Sequence, residues 1–285
     1  MTLDNQPNAT SRSSWRTTLD HLGIRPSKAL GQNFLHDAAI VRRIADSADL
    51  QPDELVVEIG PGLGVLTREL SQRAGRVIAI ELDGRLAEHV RGLSLPNTDV
   101  VEMDVLRADL TEITGGKPYV VVANLPYSVA AAAIAHLLES ESRPSRLVVM
   151  VQREVAERIC AKPPKMSILS VSVQFFGEPR ILFRIGPGAF IPVPKVESAV
   201  LRIDVSETPP LDATERVRFF DLVRAGFGQR RKQLLNSMAA GLNVAKSTIA
   251  ETLEHAGIDP KRRAETLSVD DWLRLFGGFD PRTDQ

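Results

Sequence analysis

From Leu55 to Cys160 the chain alternates short apolar runs with amphipathic stretches. Leu55–Ile59, Val77–Leu82, Asp99–Met103, Tyr119–Ala123 and Arg146–Val151 are rich in β-branched residues and predict strands. Between and after them, Val65–Arg73, a segment through Leu86 and Val90, an alanine-rich segment ending at Leu138, and Arg153–Cys160 predict helices. Upstream, Asp37–Ala48 places Ile40, Val41 and Ile44 on one helical face. Strands alternating with helices predict a parallel sheet covered on both faces. Ser170–Phe176 and Ser198–Asp204 predict a final strand pair around a long Pro/Gly-rich loop. Ser206–Asp212 carries two prolines and predicts a linker; from about Ala213 to Leu275 the pattern is helical only. The polar, Ser/Thr/Asn-rich start is expected to be a disordered tail. The expected organisation is therefore a tail (1–20), an α/β domain (21–206) and a helical domain (207–285).

Composition narrows the class. The 285 residues, 43% hydrophobic and 25% charged, are those of a soluble globular protein. A single cysteine, Cys160, excludes an internal disulfide framework and a cysteine-based zinc site, and fits the reducing cytoplasm. No membrane span and no secretory signal are expected. The net charge of −1 argues mildly against a nucleic-acid partner, so local basic clusters carry that question.

Candidate chemistry gathers where strands end. Val56-Val-Glu-Ile-Gly60-Pro-Gly62-Leu-Gly64 follows the first of these strands and can bring backbone close to a ligand before a helix N-terminus. Its Gly-x-Gly-x-Gly spacing departs from the dinucleotide pattern. It suits S-adenosylmethionine (SAM), which has no pyrophosphate. Glu81 ends the second strand and can accept from ribose hydroxyls; Asp104 ends the third and can accept an adenine N–H. The fourth ends in Asn124-Leu125-Pro126-Tyr127. Proline removes a donor and holds Leu125 extended, leaving an amide, free carbonyls and a flat ring. These suit an aromatic ring bearing an exocyclic amine. The stretch resembles the Asn/Asp/Ser-Pro/Leu-Pro-Tyr/Phe motif of enzymes that methylate nucleobase amino groups. An ordinary turn with tyrosine in its wall is the bland alternative.

Longer motifs extend the resemblance from about Lys28 to Leu275. They are Lys28-Ala-Leu-Gly31-Gln32-Asn33-Phe34-Leu35, Val57–Gly64, Ile80–Asp83, Asn124–Tyr127, Val151–Arg158, Gly186–Ser198, Phe227–Asn236 and Arg263–Ser268. In this order they resemble the ribosomal RNA adenine N6-dimethyltransferases. The resemblance implies a Rossmann-like class I SAM-dependent methyltransferase fold, with a seven-stranded, mostly parallel sheet and a small all-helical C-terminal domain. It implies dimethylation of two adjacent adenosines near the 3′ end of small-subunit (16S) rRNA within an immature 30S particle, by a monomer that needs no metal. Gln32, Asn33, Leu35, Gly60, Gly62, Glu81, Leu82, Asp104, Val105 and Asn124 would contact SAM. Asn124, Leu125, Pro126, Tyr127 and Phe190 would form the catalytic set, with Tyr127 and Phe190 holding a flipped adenine. The departure is Lys162–Ser170, which lacks the family's glycine and its Tyr-Gly pair.

Physically, Asn124 and a carbonyl of Leu125 or Pro126 can accept the two amino hydrogens and aim the nitrogen lone pair, so positioning is the main lever. None of His21, His36, His89, His136 and His255 is assigned to catalysis. Arg224, Arg230, Arg231 and Lys232, with Lys261, Arg262 and Arg263, form basic clusters expected to meet RNA phosphates; Arg25 and Lys28 can join them. Three rivals stand: an antibiotic-resistance methylase of large-subunit rRNA, a non-catalytic ribosome assembly factor, and an NAD dehydrogenase disfavoured by the glycine spacing.

Overall fold

The computed structural model describes residues 12–25 and 33–279. In chain order these form α1 (Arg12–His21), β1 (Phe34–Leu35), α2 (Ala38–Ser47), β2 (Leu55–Ile59), α3 (Val65–Ser71), β3 (Arg76–Glu81), α4 (Gly84–Gly92) and β4 (Thr98–Glu102). There follow α5 (Leu110–Thr114), β5 (Tyr119–Asn124), α6 (Ala130–Glu139), β6 (Arg146–Gln152), α7 (Arg153–Ile159), α8 (Ile168–Gln174), β7 (Gly177–Ile185), β8 (Phe190–Ile191) and β9 (Ser198–Val205). Then come α9 (Ala213–Phe227), α10 (Leu234–Leu242), α11 (Lys246–His255) and α12 (Val269–Gly277).

The chain divides into two compact units. One runs up to Ala156 and includes Pro179–Val205; the other combines Glu157–Glu178 with the described residues from Ser206 onward. The first unit holds a seven-stranded sheet of order β4-β3-β2-β5-β6-β9-β7. β4, β3, β2, β5 and β6 pair in parallel, whereas β9 runs antiparallel to β6. β2 is buried along its length and β5 along all but Asn124, as central strands covered on both faces must be. From β2 the sheet grows outward through β3 and β4; from β5 it grows the other way. The β2/β5 boundary is therefore the topological switch point, where open parallel sheets bind ligands at the strands' carboxyl ends.

Two expectations need correction. Residues 12–20 are not tail: Arg12–His21 is helical, with Trp15 and Leu19 buried against Phe34, Leu63 and Leu86. One apolar stripe, Trp15, Leu19 and Leu22, is enough to dock a helix whose composition is otherwise polar. Ser170–Phe176 is not a strand. α8 starts at a Ser167/Ser170 capping box, and its small serines tolerate burial that the Ser-Val alternation does not suggest. Phe175 then meets Phe219 and Phe220, with ring centroids 4.9 and 5.2 Å away. That cluster explains why the Glu157–Glu178 segment belongs with the helices after Ser206. The last strand before the Pro/Gly loop is instead β7, which tolerates Pro179 because it lies at the sheet edge.

Candidate active site

A cleft opens at the β2/β5 switch point, lined by Trp15, Asn33–Leu35, Glu58, Gly60–Leu63, Val65, Leu66, Glu81, Leu86 and Asn124–Tyr127. The turn after β2 makes its floor. Gly60 and Gly62 have φ of +67° and +59°, and a Cβ on Gly60 would point towards the Asn124 carbonyl and the Pro126 ring. A Cβ on Gly62 would press to 3.2 Å from Phe34.

Glu81 closes one side. Its carboxylate accepts from the backbone N–H of Gly62 (3.1 Å), Leu82 (2.9 Å) and Asp83 (3.0 Å), so it is locked in place. Burial pushes its pKa up against the pull of these three bonds. Leu82, Asp104 and Val105 do not line the cleft but lie at the same carboxyl edge of the sheet. Leu82 is exposed, Val105 is buried, and Asp104 caps a short 3₁₀ turn through the Leu106 N–H. Gln32 lies outside the described residues.

The turn after β5 supplies the other side. The Asn124 amide nitrogen donates to the Asn33 carbonyl at 3.4 Å, which leaves the amide oxygen as its free acceptor. The Pro126 carbonyl accepts from Val129, whereas no backbone bond from a described residue reaches the Leu125 carbonyl. Of the two carbonyls considered, Leu125's is thus available. Tyr127 is half-buried, and its hydroxyl shares a 2.6 Å hydrogen bond with Ser198 that anchors the ring. Burial raises the phenol pKa, so the hydroxyl stays neutral near pH 7.

Phe190 is not in this wall. β8 pairs with β1, and the Phe190 side chain is fully buried in the core with Leu35, Ile185 and Val200. Two of the lining residues that sequence reasoning did not select stand out, Trp15 and Glu58. Trp15 was assigned to the tail, although a lone tryptophan four residues before a leucine was a usable signal. Glu58 is a carboxyl inside the apolar run Leu-Val-Val-Glu-Ile, 1% exposed. Burial drives its pKa up to about 8, the neighbouring Thr67 opposing and the Glu81 charge adding. Its Oε2 has no hydrogen-bond partner among the described residues.

These features fit SAM. An unsatisfied buried carboxyl oxygen suits an ammonium, the glycine cradle admits close backbone approach, and Glu81 can still accept hydroxyls. Among the described residues no cluster could hold a metal ion, and no helix is long and apolar enough to cross a membrane.

In the second unit, Arg230, Arg231 and Lys232 are exposed in the α9–α10 connection, and Lys261 is exposed as well. Arg224 is exposed but paired with Asp221 at 2.7 Å, and Arg263 lies 4.0 Å from Glu265. Arg262 departs from the expected RNA-facing role. Its guanidinium is spent on Thr266 and on Asp271, at 3.3 Å from the latter.

Comparison with known proteins agrees with this geometry. Residues 24–280 match the ribosomal RNA adenine dimethylase family. Ribosomal RNA small subunit methyltransferase A of Dehalococcoides mccartyi is 44% identical over 255 residues, 88% of each chain. Its counterpart in Alkaliphilus metalliredigens is 40% identical, covering 93% of this chain and 96% of its own. The solved 23S rRNA methyltransferase ErmE aligns with a TM-score of 0.70 at 31% identity, over 86% of this chain and 99% of its own. Across sequence, fold and cleft, the chain belongs to the ribosomal RNA adenine dimethylases, SAM-dependent methyltransferases of rRNA.

Proposed function

We propose that this chain dimethylates N6 of two adjacent adenosines near the 3′ end of small-subunit rRNA, acting as a cytoplasmic monomer on an immature 30S particle. The observation that carries the reading is the Asn124 turn. An oriented amide oxygen and an uncommitted Leu125 carbonyl stand side by side at the switch point, next to the Tyr127 ring. Two acceptors take the two amino hydrogens of an adenine and turn its nitrogen lone pair towards the cleft. Tyr127 holds the base by stacking, worth roughly 1–3 kcal/mol.

SAM supplies an electrophilic methyl group when bound. Glu81 would hold its ribose, Glu58 would face its ammonium, and the Gly60–Gly62 backbone would cradle it. Asp104, Leu82 and Val105 would meet its adenine, with Asn33 and Leu35 completing the wall. No general base is needed in the wall, because the attacking nitrogen loses its proton to water after transfer. The small-subunit assignment is supported by relatives of 40–45% identity named for that subunit, against 31% for the large-subunit enzyme. The exposed Arg230, Arg231, Lys232 and Lys261 would meet RNA phosphates, which makes the second unit the RNA-binding part.

The test is methyl transfer from labelled SAM to immature 30S particles, 50S particles and free rRNA, with the modified base mapped. Two adjacent dimethyladenosines in the small-subunit RNA are expected. Label appearing only in 50S RNA would refute the assignment.

A further inference from the structure

The second unit contains a cavity of about 500 Å³ that the methyl-transfer chemistry does not use. Its size falls in the range of small-molecule sites, roughly 300–1,000 Å³. We propose that it captures one unstacked nucleotide of the RNA, a base with an exocyclic amine together with its phosphate. This rests on the RNA-binding reading above and names a second, non-reacting base site.

The wall has the three parts that a nucleotide requires. Arg158 at the end of α7, and Arg230 and Lys232 between α9 and α10, converge on the cavity. No ion pair or side-chain hydrogen bond from a described residue engages any of the three. Free cations lining a cavity suit a phosphate. The same cavity has an apolar part. Phe227 is half-buried, with one side towards Trp272 (centroids 5.8 Å apart), and Ile168 is 41% exposed. A ring and an aliphatic side chain facing a cavity form a slot for a base. The third part is Glu265, an acceptor-only carboxylate that suits an exocyclic amine. Its backbone carbonyl takes the Met166 N–H at 2.9 Å, which fixes this wall to the segment before α8.

That segment is Lys162–Ser170, which contains no glycine and no tyrosine and supplies Ile168 to the wall. A bare phosphate would need neither the slot nor the carboxylate, and an acidic peptide carries no exocyclic aromatic amine for Glu265 to accept. A nucleotide uses all three.

The test compares binding of the full chain to an RNA duplex with one unpaired adenosine and to the same duplex fully paired. A preference of roughly tenfold for the bulged RNA is expected, the size of one stacked base. Phe227→Leu removes the ring. Ile168→Trp fills the slot from an exposed position without changing charge, so it keeps the test valid if the first variant folds poorly. Both should abolish the preference and leave paired-duplex affinity unchanged. Absence of a preference in the wild type, or its survival in a folded Ile168→Trp variant, overturns the proposal. So does an equal loss for both duplexes. Methyl transfer to 30S particles, measured alongside, separates the two readings. Transfer without bulge preference overturns only the pocket, whereas absent transfer overturns the RNA reading beneath it.

Discussion

The cleft at the β2/β5 edge and the basic surface of the second unit are built by opposite means. In the cleft three polar side chains are held: Glu81 by three backbone donors, Asn124 by Asn33, Tyr127 by Ser198. On the surface, Arg230, Arg231, Lys232 and Lys261 are exposed, and no ion pair from a described residue holds them. Transition-state positioning needs the first kind of construction. Phosphate binding needs only free cations, and its affinity falls with salt. The lesson is that a basic residue's chemistry is decided by its neighbours. Arg262 sits in the same run as Lys261 yet is consumed by Thr266 and Asp271.

The largest effect that sharpens this contrast concerns Glu58. Its folded pKa is near 8, above the ordinary value of 4.5, so the folded chain keeps a proton that the unfolded chain loses. The resulting stability is fully present below pH 4.5 and is lost as pH rises through about 8. The loss is on the order of 4 kcal/mol. Glu58→Gln should flatten denaturation midpoints measured from pH 5 to 9; an unchanged slope would mean the carboxyl is solvated.

Next comes Glu81→Ala. Losing a charged acceptor should weaken SAM binding by about 1.5–3 kcal/mol in calorimetric titration, while RNA affinity holds. Unchanged SAM affinity would break the pocket assignment. The smallest effects separate two neighbours. Arg262→Ala should lower unfolding stability by about 1 kcal/mol through the lost part-buried hydrogen bonds. Lys261→Ala should stay within about 0.5 kcal/mol and instead flatten the salt dependence of RNA binding. The reverse pattern would undo the distinction.

Much of this was legible in the chain. β2 to β6 and their helices, α5 excepted, follow from β-branched runs between amphipathic segments, because parallel strands buried on both faces leave little ambiguity. Gly60, Gly62, Glu81 and Asn124–Tyr127 were legible for a related reason: strand ends put them on one edge. The rest depended on tertiary context. α1 is polar except for one stripe, α8 mimics a strand by its Ser-Val alternation, and β7 hides a proline at an edge. Phe190 lies in a motif, yet pairing of β8 with β1 turns it into the core. Glu58 reads as an ordinary member of β2, and only its burial in the folded chain reveals an oxygen with no partner among the described residues.

The account's central claim is that the Asn124 turn performs the transfer while the second unit's cations only hold RNA. The most direct measurement is the single-turnover rate of methyl transfer, at saturating SAM, titrated against 30S concentration. Asn124→Ala should lower the plateau on the order of 100-fold and leave the midpoint in place. Arg230→Ala with Lys232→Ala should move the midpoint and leave the plateau. A near-normal plateau for Asn124→Ala would contradict the claim.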